Sequence, residues 1–481
     1  MCCRKSIQRN LQRRLHLARG GTAFRTKRCE CLLNSLLLAL SLELLLAGCS
    51  KPSAGTRVDP NGPVEIVIPE HGAYTGAFMD FGDEEDDVTL ETIEDFEQMV
   101  GKHQAIIVSS SYWGEQNFPV DNLNVIWRHG SLPLVFWSPW DKPYEEDHGP
   151  DKFSLTEILA GKWDAYIDKW ADAARQFGHP MIVVFGVEMN GTWFPWSGAY
   201  YGGAQWDPGA KNWKGPETFR RAYRYVVDRV RARGASNIKW MFHTNNYPYP
   251  YEPWNCAAAY YPGSDYVDWL GLSVYGQQYK DEPNPDIPSL VNWPYEEICR
   301  LDPHKPVMIA EWATGEFPLA TAPPSALRKP QWIKQALELF RTRYPRIKAA
   351  LYWHERWQNA DGSYSNLRVN SSVESLRAYQ RGVADPDWLG DLILRALPKW
   401  RDADNPVCVL QTVRRPDRIP CLTRAPGIIF RRRALLKVES EFPSTIGFES
   451  PDTNLGAALP SPIIFSVDRV EREDYRRPRQ R

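Results

Sequence analysis

A surplus of charge of either sign is missing from this chain: its 481 residues hold 58 Lys+Arg against 59 Asp+Glu, a formal net charge of -1. A polyanion partner needs a basic field that neutralises phosphates, so nucleic acid is excluded as an expected partner. Phosphate-cradling glycine loops are missing too. Neither GxGxxG nor GxxxxGK(S/T) follows any apolar strand-like run, which argues against an open nucleotide-binding sheet. No cysteine pair shows the spacing of a zinc or redox motif, so neither chemistry is expected. Cys256 and Cys299 can be read equally as a disulfide or as two buried thiols. His354-Glu355 lacks the second His of a zinc helix, and the acidic run Asp83-Glu84-Glu85-Asp86-Asp87 lacks calcium-loop spacing and reads as a solvated loop. No metal and no other cofactor is expected. Asp80-Phe81-Gly82 matches a kinase triplet without any other kinase signature.

What is abundant is aromatic: 20 Trp and 22 Tyr. A flat ring can pack on the C–H face of a sugar while polar neighbours take the hydroxyls, although any single Trp is as readily a core residue.

The ends of the chain differ from its middle. Nine Lys/Arg fall in residues 1–31, followed by the apolar run Leu32 to Leu46 and then Ala47-Gly48-Cys49. This is a signal-peptide layout, and Leu46-Ala47-Gly48-Cys49 resembles the lipobox of bacterial lipoproteins, in which the Cys carries the lipid. The run is shorter than the roughly 20 residues of a spanning helix and contains Glu43, which disfavours the rival reading as a transmembrane anchor. The expected organisation is a signal segment with lipobox over 1–49, a Pro/Gly/Ser-rich linker over 50–63, one catalytic domain over 64–395 and an Arg/Pro-rich, poorly structured tail over 396–481. This layout predicts an exported monomer, lipid-anchored to a bacterial membrane at the periplasm or cell surface.

Across 64–395, short apolar runs alternate with helical patterns. Strands are expected at Gly72–Asp80, Ala105–Ser109, Pro133–Trp137, Met181–Val187, Ile238–His243, Trp269–Tyr275, Val307–Trp312 and Ala349–Trp353. The capping box Ser154-Leu155-Thr156-Glu157 opens a helix whose apolar periodicity runs on to Ala174. A second helix carries Phe219, Tyr223, Val226, Val227 and Val230 on one face and stops at Gly234. Eight strands interleaved with helices predict an α/β fold, a (β/α)8 TIM barrel.

In such a barrel the chemistry sits where strands end. Two carboxylates close apolar strands: Glu188 after strand four, leading into Met189-Asn190-Gly191-Thr192-Trp193-Phe194-Pro195-Trp196, and Glu311 after strand seven, succeeded by Trp312. One buried Glu alone is more simply an ion pair or a cap. A pair at the ends of strands four and seven, both flanked by Trp, is what glycosidic cleavage requires: a proton for the leaving oxygen and a carboxylate beneath the anomeric carbon. His243 and Asn245 after strand five either reach a ligand or form a satisfied polar pair at the rim. Trp137, Trp140 and Asp141 after strand three extend a cleft or belong to the core, with equal weight.

The stretches VEMNGTWFPWSG (Val187–Gly198), YYPGSDYVDWLGLSVYG (Tyr260–Gly276), KPVMIAEWAT (Lys305–Thr314) and LYWHERW (Leu351–Trp357) resemble glycoside hydrolase family 26, best known for endo-β-1,4-mannanases, over about residues 64–385. The resemblance implies that Glu188 is the acid/base, that Glu311 is the nucleophile, that Tyr275 orients Glu311, and that Trp193, Trp196 and Trp353 face sugar. Asn190 in the same segment is counted with the substrate-binding residues. One position departs: family mannanases usually carry His before the acid/base, and here that residue is Val187. The expected activity is that of a retaining endo-β-glycanase, with β-1,4-mannan as the first substrate. The rivals are a β-1,3/1,4-glucanase or xylanase on the same barrel, and a non-catalytic polysaccharide-binding or assembly lipoprotein.

Overall fold

The computed structural model describes residues 64–397, apart from 83–84, 86, 142–149, 281, 318–326 and 360–361. The lipobox, the linker and all but the first two residues of the tail lie outside the described residues.

Eight strands carry the architecture: β1 (Ala73–Phe78), β2 (Ile106–Tyr112), β3 (Leu132–Ser138), β4 (Met181–Phe185), β5 (Ile238–Asn245), β6 (Trp269–Tyr275), β7 (Val307–Ala313) and β8 (Ile347–Trp353). They pair in parallel in chain order, and β8 closes on β1 through the register Ala349 with Tyr74 to Trp353 with Phe78. A helix comes after each strand: α1 (Leu90–Val100), α2 (Val120–His129), α3 (Asp164–Phe177), α4 (Lys214–Ala232), α5 (Ala257–Tyr260), α6 (Ile287–Leu301), α7 (Lys329–Thr342) and α8 (Val373–Val383). This is the expected (β/α)8 barrel.

Local chemistry explains where these elements begin and end. Thr89 caps α1 by accepting from the Thr92 N–H at 3.1 Å, and Gly101, at φ 70°, ends it. Ser154 caps as expected, but its helix stops at Leu159. Gly161, at φ 78°, breaks the chain before α3 begins, so one periodic pattern is divided between two helices. In α4 the apolar face Phe219, Tyr223, Val226, Val227 and Val230 is buried in full, each side chain contributing at most about 1.5–3 kcal/mol on the extended-chain reference. Cys256 and Cys299 are free thiols, which decides against the disulfide reading.

The N-terminal ends of the strands are closed by the ends of the barrel segment. Val64–Ile66 pairs antiparallel with Leu394–Ala396, and Trp388–Leu389 adds in parallel to the start of β1. The Tyr74 hydroxyl fastens both segments, donating to Val67 O at 2.7 Å and accepting from Ile393 N at 3.0 Å. The opposite, C-terminal face is left for a site.

Candidate active site

Glu188 and Glu311 are both placed by interruptions of their strands. β4 ends at Phe185, two residues before the expected limit, because Gly186 turns at φ 63° with no room for a side chain: a Cβ there would meet Phe219 at 2.8 Å and Trp196 at 3.2 Å. Glu188 itself lies in the left-handed region at φ 52°, a conformation that costs a non-glycine residue about 1–3 kcal/mol and persists only where its surroundings impose it. Here they do. The Glu188 N–H donates to His243 O on β5 at 2.9 Å, the Trp196 indole donates to Val187 O at 2.6 Å, and Gly191 N–H returns to Glu188 O at 2.9 Å. On β7, Ile309 pairs with Leu272 but Glu311 pairs with Ser273, so Ala310 is one residue extra. Such a bulge shifts the alternation of side chains and re-aims the residues beyond it. Glu311 faces the mouth beside Ser273, while the next ring, Trp312, packs outward against Trp332, Phe340 and Tyr379.

Each carboxyl is 7% exposed and held by its own donors. The Trp193 indole N–H donates to Glu188 Oε2 at 2.7 Å, and the Ser273 hydroxyl bonds the same carboxyl. The Tyr275 hydroxyl donates to Glu311 Oε2 at 2.6 Å. His243 Nε2 lies 2.8 Å from Ser273 Oγ and 3.8 Å from Glu311 Oε1. Burial pushes the His243 imidazole down to about 3, so it is neutral. With the Ser273 proton directed at Glu188, His243 carries its proton on Nε2 and gives it to Ser273, and its buried Nδ1 is left without a hydrogen-bond partner.

Burial raises both carboxyls above the usual range, and the charge of Glu188 pushes Glu311 up further, against the lowering effect of the Tyr275 hydroxyl. Two such groups cannot both ionise without cost, so ionisation of one favours a proton on the other. A shared proton and a carboxylate in one buried mouth can perform proton donation and nucleophilic attack from two sides of a bound molecule.

The mouth holds two further carboxyls that lie outside the site expected from the sequence. Glu85, within the acidic run expected to be solvated, is buried, and its Oε2 accepts from Tyr112 at 2.9 Å and Ser110 at 3.2 Å. Burial, and then the Glu355 charge, raise it to about 8. Glu355 accepts from the Trp353 indole and is raised by burial to about 7. Both contribute to the elevation of Glu311. Ser110 and Tyr112 sit on the three residues by which β2 runs past its expected end, a Ser-Ser-Tyr sequence whose serines give a weak strand signal.

Several expected contacts take other forms. Trp193 is half-buried at the mouth, on Glu188. Trp196, expected to face sugar, is 1% exposed, lies parallel to Phe194 at 4.6 Å and clamps the Glu188 turn through Val187 O, so it belongs to the core. Trp137 is likewise core: it stacks on Trp170 of α3 at 4.0 Å and donates to Tyr166, which places it in the layer between strands and helices. Trp140 is buried edge-on against Phe194 and Trp196, while Asp141 pairs with Lys152. Asn190 has its amide engaged with β5, donating to Asn245 O at 3.0 Å and accepting from Asn245 N at 2.9 Å, so it braces the backbone instead of offering itself to a ligand. Trp353 stacks on Phe78 at 4.1 Å with its indole N–H on Glu355.

Among the described residues, Glu97, His103 and His129 also bring donor atoms within 4.8 Å of one another. They precede β2 and β3, away from the mouth. Their imidazoles are parallel, 4.7 Å apart and 8° from coplanar orientation, so the in-plane lone pairs do not converge on one point. Nδ1 of each ring has its own contact, Gly390 O for His103 and Ser131 Oγ for His129. The cluster is a hydrogen-bonded brace of that face.

Residues 140–323, which include both carboxylates, match the family model described as Glycosyl hydrolase family 26. Endoglucanase H of Acetivibrio thermocellus is 26% identical over 303 residues, covering 60% of this chain and 29% of that protein. Mannan endo-1,4-beta-mannosidase A and B of Caldalkalibacillus mannanilyticus is 27% identical over 199 residues, covering 41% of this chain and 33% of that protein. The chain thus spans about a third or less of the length of these relatives. A solved structure of a Cellulomonas fimi endo-beta-1,4-mannanase double mutant aligns with a TM-score of 0.48 at 19% identity, over 67% of this chain and 73% of that one. Three of the four expected motif stretches, Val187–Gly198, Tyr260–Gly276 and Lys305–Thr314, lie in the region that matches glycosyl hydrolase family 26, on a closed eight-stranded barrel.

Proposed function

We propose that this protein is a retaining endo-β-glycanase that hydrolyses a β-linked polysaccharide by double displacement, with β-1,4-mannan the first substrate to test. The observation that carries the reading is the buried Glu188–Glu311 pair, each member fixed by a separate indole or phenol donor at the open end of the barrel. In the first step Glu311 attacks the anomeric carbon while Glu188 gives its proton to the departing oxygen. In the second, Glu188 takes a proton from water as the water oxygen displaces Glu311, and two inversions leave the configuration unchanged. Tyr275 holds Glu311 in place for attack, and Trp193 and Ser273 hold Glu188.

A second reading changes only the polymer. Val187 stands where family mannanases carry a His, and its side chain offers no hydrogen bond to a sugar next to the scissile bond. One similar protein bears the name endoglucanase. A β-1,3/1,4-glucan or a xylan is therefore the alternative.

Reducing-sugar release from galactomannan, glucomannan, lichenan and xylan separates the two readings, and proton NMR of the first anomer released reports retention. Glu311→Ala should abolish turnover. Glu188→Ala should keep activity on aryl glycosides whose leaving group needs no proton, and azide should restore rate to it. Full activity of both variants on polymer would overturn the assignment, and an inert parent on all four polymers would favour a non-catalytic binding role.

A further inference from the structure

The loop after β5 carries Tyr247-Pro248-Tyr249-Pro250-Tyr251, three phenol rings separated by prolines. Tyr249 is 49% and Tyr251 66% exposed, unusual for large rings on a loop that is otherwise tightly fastened. Its fastening is specific. Tyr249 N–H donates to Asn190 O at 2.8 Å, and the buried Asn255 amide donates to Asn190 O at 2.7 Å and to Pro250 O at 3.0 Å. The Tyr247 hydroxyl donates to Ser289 O on α6 at 2.6 Å. The rings fall into two neighbouring groups on the one loop. Tyr249 lies 6.3 Å from Trp193, the indole that holds Glu188. Tyr251 lies 6.4 Å from Tyr247 and 6.1 Å from Trp293, and Tyr247 stacks on Trp293 at 5.5 Å and 6°.

We infer that Tyr249, Tyr251 and Trp293, with Tyr247 beneath, form a stacking platform for the sugar units of a β-linked polysaccharide on the leaving-group side of the cleaved bond. The inference rests on the proposed glycanase reading and adds where the polymer runs. Three features of the platform point to this occupant. Its Tyr249 ring adjoins Trp193 of the candidate site, and Tyr247 and Tyr251 flank Tyr249 in the chain. That indole is bonded to Glu188, which meets the leaving oxygen, whereas Glu311, which meets the anomeric carbon, is held by Tyr275 of β6. The rings are carried by proline-restricted backbone fastened to Asn190, so they are presented at little further entropic cost, as stacking on a flexible ligand requires. Charged neighbours that would suit an ionic partner are few on this stretch; Glu252 is the one acidic residue between Tyr247 and Cys256, and no Lys or Arg lies there.

The test compares the full-length parent with Tyr251→Ala, Trp293→Ala and the double variant. On a polymer that the parent cleaves, kcat/KM of the double variant should fall about tenfold more than on an aryl glycoside, whose leaving group is too short to reach the platform. Affinity electrophoresis of Glu311→Gln through the same polymer should show retardation that Trp293→Ala weakens. Equal falls on polymer and aryl glycoside would overturn the platform, because they would make the loop a prop for the Glu188 turn. Unchanged polymer kinetics and unchanged retardation would overturn it as well. An inactive parent would instead sink the glycanase reading, while retardation of Glu311→Gln that depends on Trp293 would still support the platform.

Discussion

Trp193 and Trp196 stand three residues apart in one motif and perform opposite tasks. The Trp193 N–H stabilises the ionised form of Glu188, whereas Trp196 fills the core and clamps a backbone carbonyl. Trp193→Phe removes the donor and retains most of the bulk, so the Glu188 proton should be held more tightly. The alkaline limb of the kcat/KM profile should then move to higher pH with little change in Tm. Trp196→Ala should cost about 3–5 kcal/mol of stability, read as a fall in denaturation midpoint. A Trp193→Phe profile that superimposes on the parent would remove Trp193 from the acid/base's environment. These two roles are not separable in the sequence, because a motif gives residue types at fixed spacing and a tight turn decides which way each ring points. The same is true of Asn190, which reads as a sugar ligand and is a brace. Glu188 and Glu311 are legible because each closes a clear apolar run, and Tyr275 through the family resemblance, whereas the Gly186 turn and the Ala310 bulge that aim the two carboxylates at the mouth are not.

At the scale of the elements, all eight strands can be read from short apolar runs, and Trp269–Tyr275 coincides with its strand to the residue. The irregularities escape. A one-residue bulge at Ala310 leaves a continuous apolar run unchanged, so nothing in Val307–Ala313 marks it. The last residues of β2 escape as well, and with them the site of Glu85. This carboxyl has measurable consequences. Its folded value of about 8 lies above the ordinary 4.5, so the protonated form is the one that the fold accommodates. Stability from this group is complete below the unfolded value and is lost as pH rises from there through about 8; Glu355, at about 7, acts in the same sense. The Tm of the parent should therefore decline between pH 5 and pH 9, and Glu85→Gln, which is neutral throughout and keeps an acceptor for Tyr112, should flatten that decline. A variant whose Tm tracks the parent across the range would show that Glu85 titrates in water, as a solvated loop would.

At the scale of the whole molecule, the barrel separates its two faces by task. Val64–Ile66 and Leu394–Ala396 lie side by side where the strands begin, while Glu188 and Glu311 lie where strands end. Whatever precedes Val64 therefore joins the barrel on the face away from the carboxylates. Among the described residues no helix is long and apolar enough to cross a membrane. The Leu46-Ala47-Gly48-Cys49 segment supports the proposal that the mature chain begins at Cys49 and carries lipid there. Each buried methylene of an acyl chain contributes about 0.8 kcal/mol to membrane binding, so two or more chains hold a domain of this size firmly. Cys49→Ser removes the acceptor for that lipid. Cells expressing the variant should release the protein into the soluble fraction at unchanged specific activity, and the N-terminal peptide of the parent, read by mass spectrometry, should carry acyl chains on Cys49. If the variant instead sediments with membranes as completely as the parent, the attachment lies elsewhere, and the apolar run Leu32 to Leu46 becomes the segment to delete next.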